Sequence, residues 1–324
     1  MMLSIVIPNW NGAPFIARCI AATIQSAHAS GLKWEIIVID DASSDQSLDI
    51  IQKDFPSVKL LRNSANKGFG RSVNAGASSA EGGILVLLNN DLVPKEAMLG
   101  ELTAPLLDDP GLFGVSAKTL NWTGQEPNHL NMAALWRNGQ IELAFEDSSA
   151  PSPTMFLQGG SCAMRRAEFL KLGGFRKLFA PGYWEDYDLS YLAMKTGWRH
   201  LYNPRALAYH LGGGSMGRAY GTDYVEIIRK RNYFLFVWAN LTDKPLLREH
   251  LNSLPRMAAS GLLHDGERRL EVKGFARALK LAPDAAAERQ RRMPFLRRSD
   301  REIFADFSQH GQSQPGETQN CPAK

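Results

Sequence analysis

Two acidic groups dominate the chemistry available to this chain of 324 residues. Asp91 closes the run Leu87-Leu88-Asn89-Asn90-Asp91. A single carboxylate at such a break can hold a divalent cation against a diphosphate, although Asn and Asp also end strands in ordinary turns. Glu185, Asp186 and Asp188 follow Trp184 where a helical pattern begins. Acidic residues are favoured there by the helix dipole and by capping alone. Glu185 and Asp188, three apart, share a helix face, and Asp186 points elsewhere. One carboxylate can therefore face a pocket while the others cap or pair. Desolvated between Trp184 and Tyr187, it would gain the raised pKa that suits a general base.

Further polar clusters sit at other strand ends. Asp40-Asp41 follows the apolar run Ile36-Ile37-Val38-Ile39. Adjacent carboxylates repel each other, so the pair needs a reason, and accepting hydrogen bonds from a nucleobase or ribose supplies one. Ser44 and Asp45, just beyond, read more simply as helix caps. Lys67 and Arg71 flank a helix start, where they can meet phosphates or simply be solvated. Gly68 and Gly70 do not make a dinucleotide fingerprint, because position 73 is Val and the pattern follows the third strand. No GxxxxGK[ST] loop occurs, which argues against a P-loop nucleotide hydrolase. His210, before Leu211 and three glycines, can be a metal ligand or an ordinary core or surface histidine.

The elements that must position these groups alternate. Apolar runs at 4–8, 34–39, 58–61 and 84–88 alternate with helical patterns at 15–24, from Leu48, and at 69–80. That order implies an α/β fold with a mostly parallel sheet wound with helices. A helix over 94–107 and a strand over 111–120 follow; residues 121–154 lose the pattern and read as a surface excursion where an acceptor pocket can lie. Paired Gly159-Gly160 allow close backbone approach before a strand, and a helix over 166–172 ends at Gly173-Gly174. A short strand is expected at 198–202 and a long helix at 222–241. Its aromatics and Arg229-Lys230-Arg231 suit either a membrane surface or packing on the main domain.

Composition sets outer bounds. At 44% hydrophobic and 22% charged residues the chain is an ordinary globular protein. Cys19, Cys162 and Cys321 are too far apart for a zinc motif or a disulfide framework, which fits a reducing cytoplasm. The start has no secretory leader pattern, and no eighteen consecutive apolar residues occur. Residues 1–224 carry 19 Lys/Arg against 21 Asp/Glu, whereas residues 225–310 carry 17 against 11. The expected organisation is a domain over 1–220, a basic helical region over 221–308 and a disordered tail over 309–324.

Taken together and in order, Ser4-Ile5-Val6-Ile7-Pro8-Asn9-Trp10-Asn11-Gly12, Val38-Ile39-Asp40-Asp41-Ala42-Ser43-Ser44-Asp45, Asn66-Lys67-Gly68-Phe69-Gly70 with Asn74-Ala75-Gly76, Leu88-Asn89-Asn90-Asp91, and Trp184-Glu185-Asp186-Tyr187-Asp188-Leu189 with His210 resemble family 2 glycosyltransferases. The likeness covers about residues 3–240 and is greatest to the rhamnosyltransferase-like branch. It implies a GT-A fold and inverting transfer of a sugar from a nucleoside diphosphate donor. It places the donor near Pro8, Asn9, Asp40, Asp41, Lys67, Gly68, Asn74 and Asn90. It also implies a divalent cation, Mg²⁺ or Mn²⁺, at Asp91 with His210, and a catalytic base at Asp186 beside Glu185. Asn89 departs from a stricter DxD motif, whose first residue is acidic.

The expected activity is therefore transfer of a sugar, rhamnose from dTDP-rhamnose, to a cell-surface glycan or lipid-linked precursor. The protein would be cytoplasmic and peripheral to the inner face of the membrane, and no nucleic-acid partner is expected. Asn89 motivates the alternative of a catalytically silent nucleotide-sugar-binding module acting through a partner protein.

Overall fold

The innermost strand of the protein, β1 (Met2–Asn9), is apolar on both faces, as a strand covered by helices on both sides must be. A computed structural model describes residues 1–212, 220–262 and 267–309. In it β1 lies between β2 (Lys33–Asp40) and β4 (Ile84–Leu88), parallel to both, with Ile5 opposite Ile36 and Val86. β3 (Lys59–Arg62) extends the sheet beyond β2. On the other side, β11 (Ser161–Arg165) runs antiparallel between β4 and β6 (Leu112–Asn121). β12 (Arg199–His210) returns parallel to β6. Short strands β5 (Leu92–Pro94), β7 (Pro127–His129) and β10 (Ser152–Pro153) pair antiparallel at the margins. The sheet is thus mostly parallel, in the order β10-β12-β6-β11-β4-β1-β2-β3.

Helices cover both faces. One apolar cluster joins α1 (Ile16–Ala29), α2 (Ser47–Asp54) and α4 (Met98–Asp108) to side chains such as Ile5, Ile7 and Val86. The opposite face packs α3 (Phe69–Ser79), α5 (Arg166–Lys171) and part of α6 (Glu185–Lys195) over Val6, Leu85 and Leu87. Each fully buried aliphatic side chain contributes on the order of 2 kcal/mol, so these strands are the stable frame on which the polar strand ends are mounted.

A third cluster gathers α6 with α7 (Thr222–Asn240), α8 (Lys244–Leu262), α9 (Glu267–Leu279), α10 (Ala282–Arg292) and α11 (Asp300–Asp306). Phe234, Phe236, Val237 and Trp238 of α7 are buried within it. Packing thus accounts for the apolar face of this helix, of the two meanings its sequence allowed. Among the described residues no helix is long and apolar enough to cross a membrane.

Several elements depart from the sequence-based reading. Pro94 ends β5, which pairs with β12, so the following helix starts at Met98. Residues 121–154 are no plain excursion: β8 (Asn131–Arg137) and β9 (Gln140–Glu146) form a hairpin whose Met132, Ala133, Ala134 and Ile141 enter the third cluster. β12 runs on to His210 through a register shift between Asn203 and Leu207, and so delivers that histidine to the sheet edge. The tail from His310 lies outside the described residues.

Candidate active site

The carboxyl ends of β1, β2, β4 and β12 meet along one edge, the usual ligand position of an open α/β sheet. There the polar residues first organise one another. Asn9 is fully buried, and its Nδ2 donates to Asp40 Oδ1 at 3.1 Å and to Ser47 Oγ at 3.0 Å. Its Oδ1 accepts from Asn90 Nδ2 at 2.9 Å, joining the ends of β1 and β4. Asp40 also accepts from the backbone of Ser43 at 3.1 Å. Asp41 binds Asn63 Nδ2 and the backbone amides of Lys67 and Gly68, each at 2.8 Å. The paired aspartates therefore shape two loops of the edge, and the reason for their adjacency is at least partly architectural. Asp45 accepts from Ser47 N at 3.0 Å, near the start of α2, and from Ala13 N at 2.8 Å. Asn74 exchanges two hydrogen bonds with the backbone of Phe175, at 2.7 and 2.9 Å, which ties α3 to the loop after α5. Pro8 is half-buried and the Lys67 side chain is exposed at this edge.

Asp91 and His210 do come together. Asp91 Oδ2 and His210 Nε2 lie 3.2 Å apart, and the backbone of Leu211 donates to Asp91 O at 2.8 Å. The half-buried His129, from β7, is close enough to feel both groups; burial, then the charge of His210, holds its pKa down to about 4, so its ring stays neutral. Beneath the turn, Cys19 Sγ donates to Asn89 O at 3.4 Å. Burial and the nearby Asp91 push this thiol up to about 12, which leaves it inert. A carboxylate oxygen is a suitable ligand for Mg²⁺ or Mn²⁺, whereas an imidazole nitrogen suits a transition ion such as Mn²⁺ better than the oxygen-preferring Mg²⁺. Among the described residues no three His, Cys, Asp or Glu side chains gather to hold a metal by themselves. The pair therefore fits a cation whose remaining ligands come from a bound diphosphate.

The three carboxylates at the start of α6 have separate environments. Asp188 is fully buried and receives two hydrogen bonds from Arg292, each at 2.8 Å, and one from Asn240 at 2.8 Å. Arg176 adds an ion pair at 3.1 Å. Although burial opposes ionisation, the two guanidiniums hold this carboxyl below its ordinary range, so Asp188 is a structural anion. Glu185 is also buried, but its Oε2 has no hydrogen-bond partner among the described residues. Burial, then the neighbouring Asp186, pushes its pKa up to about 8. Asp186 is half-exposed and accepts from Gly159 N at 3.0 Å and Tyr187 N at 2.9 Å. Its pKa is raised too, by desolvation. Burial thus holds both carboxyls toward their protonated forms, and Asp186, with two backbone N–H donors, is the better placed of the two to carry the negative charge.

Gly159 and Gly160 link this pair to Asp91. Gly159 donates to Asp186, while Gly160 O accepts from Asn89 N at 2.9 Å. A Cβ on Gly160 would stand 2.4 Å from the Asn89 side chain, so the approach expected of these glycines is real and needs a missing side chain. The edge therefore carries a group able to accept a proton and a pair able to ligate a cation, connected through Gly159-Gly160 and the turn Asn89-Asn90-Asp91. His129 and Arg292 were not singled out from the sequence, because nothing local marks either.

The family model described as glycosyl transferase family 2 matches residues 4–173. The chain is 25% identical to an N-acetylglucosaminyl-diphospho-decaprenol L-rhamnosyltransferase of Mycobacterium tuberculosis, over 67% of this chain and 78% of that protein. Among solved structures it is similar to S. aureus TarS 1-349 in complex with UDP-GlcNAc, with a TM-score of 0.59 and 16% identity, covering 95% of this chain and 92% of the other. It is also similar to GalNAc-T7 with UDP, GalNAc and Mn²⁺, with a TM-score of 0.61 and 18% identity, covering 89% of this chain but only 56% of the other. These likenesses support the same mixed α/β GT-A architecture.

Proposed function

Because the chain belongs to glycosyl transferase family 2 and uses a nucleotide-sugar donor, we propose that it moves rhamnose from dTDP-rhamnose, with inversion, to a hydroxyl of a lipid-linked glycan precursor. The observation that carries this reading is the backbone link through Gly159 and Gly160, which ties Asp186 to Asn89 in the turn that presents Asp91 to His210. Inverting transfer is a single displacement at the anomeric carbon. It needs a base on the acceptor hydroxyl on one side and relief of negative charge on the departing diphosphate on the other.

Asp186 takes the hydroxyl proton as the acceptor oxygen bonds to the anomeric carbon, and the bond to the diphosphate oxygen breaks. Glu185, protonated, leaves Asp186 as the single ionised member of the pair. Asp91 and His210 would hold Mg²⁺ or Mn²⁺, which when bound supplies charge neutralisation for the leaving group. Donor contacts are assigned to Pro8, Asn9, Asp40, Asp41, Lys67, Gly68, Asn74 and Asn90. In this assignment Asn9, Asp41 and Asn74 act chiefly by fixing the loops that line the donor side. The rhamnose and lipid-linked acceptor follow the M. tuberculosis relative. Peripheral contact with an anionic membrane through the basic C-terminal region belongs to the same proposal.

A ligand that binds only the folded protein raises its melting temperature by mass action, so the donor site is testable without an acceptor. Thermal unfolding with UDP-, dTDP- and GDP-sugars, with and without Mn²⁺, is expected to show a Mn²⁺-dependent rise with dTDP-rhamnose that Asp91→Ala abolishes. A shift with another nucleotide family would overturn the donor assignment; no shift with any would overturn the donor site.

A further inference from the structure

Asn232 lies in the middle of α7, fully buried, and its side-chain amide points at a turn about fifty residues upstream. Its Nδ2 is 2.9 Å from Phe179 O, 2.9 Å from Gly182 O and 2.8 Å from Tyr183 O. Two N–H groups thus serve three carbonyls. Asn232 Oδ1 accepts from Arg231 Nε at 2.9 Å, and Arg231 Nη2 donates to Ala180 O. One turn earlier on α7, the Arg229 guanidinium stacks 4.6 Å over the Tyr183 ring. The carbonyls of Phe179, Ala180, Gly182 and Tyr183 are therefore all held from one helix.

The segment so held would not hold itself. Tyr183 and Trp184 have φ of 72° and 74°, a left-handed conformation that costs bulky side chains and persists only where surroundings enforce it. Trp184 is the N-cap of α6, and its carbonyl accepts from Asp188 N at 2.9 Å. Glu185 and Asp186 are the next two residues, so the angle at which this turn enters the helix sets where both carboxylates stand. On its other side the turn touches the donor half of the edge. A Cβ on Gly68, itself at φ 84°, would stand 2.7 Å from Pro181 O.

We propose that Asn232 is a positioning residue for sugar transfer: its amide fixes the 179–184 turn and thereby places Glu185 and Asp186 opposite the donor segment at Gly68. The proposal rests on the assignment of Asp186 as the base. A purely structural asparagine would stabilise the fold without favouring this turn, and the two roles separate experimentally.

The full chain is compared with Asn232→Ser, which keeps one donor, and Asn232→Ala, which keeps none. Amide hydrogen exchange, followed by mass spectrometry, needs no substrate. It is expected to accelerate about 10- to 100-fold over residues 183–187 in Asn232→Ala, less in Asn232→Ser, with the sheet unchanged. Turnover is followed with dTDP-rhamnose and a synthetic short-chain prenyl-diphosphate N-acetylglucosamine. Here kcat is expected to fall roughly 10- to 100-fold while dTDP binding changes little, because a misplaced base of about 1 Å costs that much. The acid limb of the kcat–pH profile should also move to lower pH as the carboxylates gain water.

Evenly faster exchange across the protein, or an unchanged profile at 183–187, would overturn the proposal. If Asp186→Asn is inactive while Asn232→Ala keeps its kcat and pH profile, the positioning role alone fails. If Asp186→Asn retains turnover, the base assignment fails and takes the catalytic part of the proposal with it. Should Asn232→Ala fold poorly, Arg231→Ala releases Ala180 O and Asn232 Oδ1, leaves the three carbonyl contacts of Asn232 Nδ2, and reads the same turn.

Discussion

Glu185 makes the protein less stable as pH rises through neutrality, and Glu185→Gln should remove that dependence. Glu185 is 6% exposed, its Oε2 has no partner among the described residues, and burial with the adjacent Asp186 lifts its pKa from 4.5 to about 8. Between those values the native state holds a proton that the unfolded chain releases. Because the native state binds more protons there, unfolding becomes easier as pH increases. The stability associated with the shift is fully present below about pH 4.5 and is lost progressively as pH climbs toward 8. Each unit corresponds to about 1.4 kcal/mol, so the upper bound over the window is about 5 kcal/mol. Coupled titration with Asp186 and local water entry bring the expected loss to a few kcal/mol. Urea unfolding at pH 5, 6, 7 and 8 measures it on native protein and Glu185→Gln. Any fixed cost of the substitution cancels in the slope, so the reading depends on pH dependence alone. Parallel slopes for the two proteins would refute the argument, because they would mean that Glu185 is ionised in the folded state near its ordinary pKa.

Two other expectations follow from the basic C-terminal half. Arg292→Met leaves the buried Asp188 with Arg176 and Asn240 alone; removing one partner of a buried pair costs about 3–5 kcal/mol, and denaturant midpoints should show a loss of that order. Arg256, Lys273 and Lys280 are exposed, and each basic residue near an anionic bilayer is worth about 1 kcal/mol. Replacing all three with Ser should therefore weaken cosedimentation with phosphatidylserine vesicles at low salt, and unchanged cosedimentation would refute the membrane proposal.

The strand and helix alternation up to Leu88 is legible in the sequence because each buried parallel strand is a continuous apolar run stopped by polar residues. Legibility fails where burial comes from a distant partner. In β8, Asn131, Met132, Ala133 and Ala134 are all buried, so no alternation marks a strand, and their covering side chains arrive from α7 about a hundred residues later. Pro94 looks like a helix start, but its place is decided by pairing with Ala208. β12 looks shorter than it is because Asn203 and Pro204 interrupt its apolar run where the register shifts.

The site divides along the same line. Asp91 and the carboxylates of α6 are conspicuous because each stands at the end of an apolar run or the start of a helix, whereas His210 is an ordinary histidine by its neighbours and gains a role only from the family resemblance. Their supports are silent. Asn232 sits beside a basic triplet that reads as a surface, and Arg292 sits among arginines of a solvated helix; only folding shows that one clasps three carbonyls and the other neutralises Asp188. A carboxylate can be displayed by local sequence, but its surroundings are assembled only by folding: Asp186 meets Gly159 from 27 residues upstream, and Asp188 meets Arg292 from 104 residues downstream. The C-terminal helices, whose composition alone suggests a solvated basic appendage, thus pack on the start of α6: Asn232 binds the turn that precedes it, and Arg292 neutralises Asp188 within it.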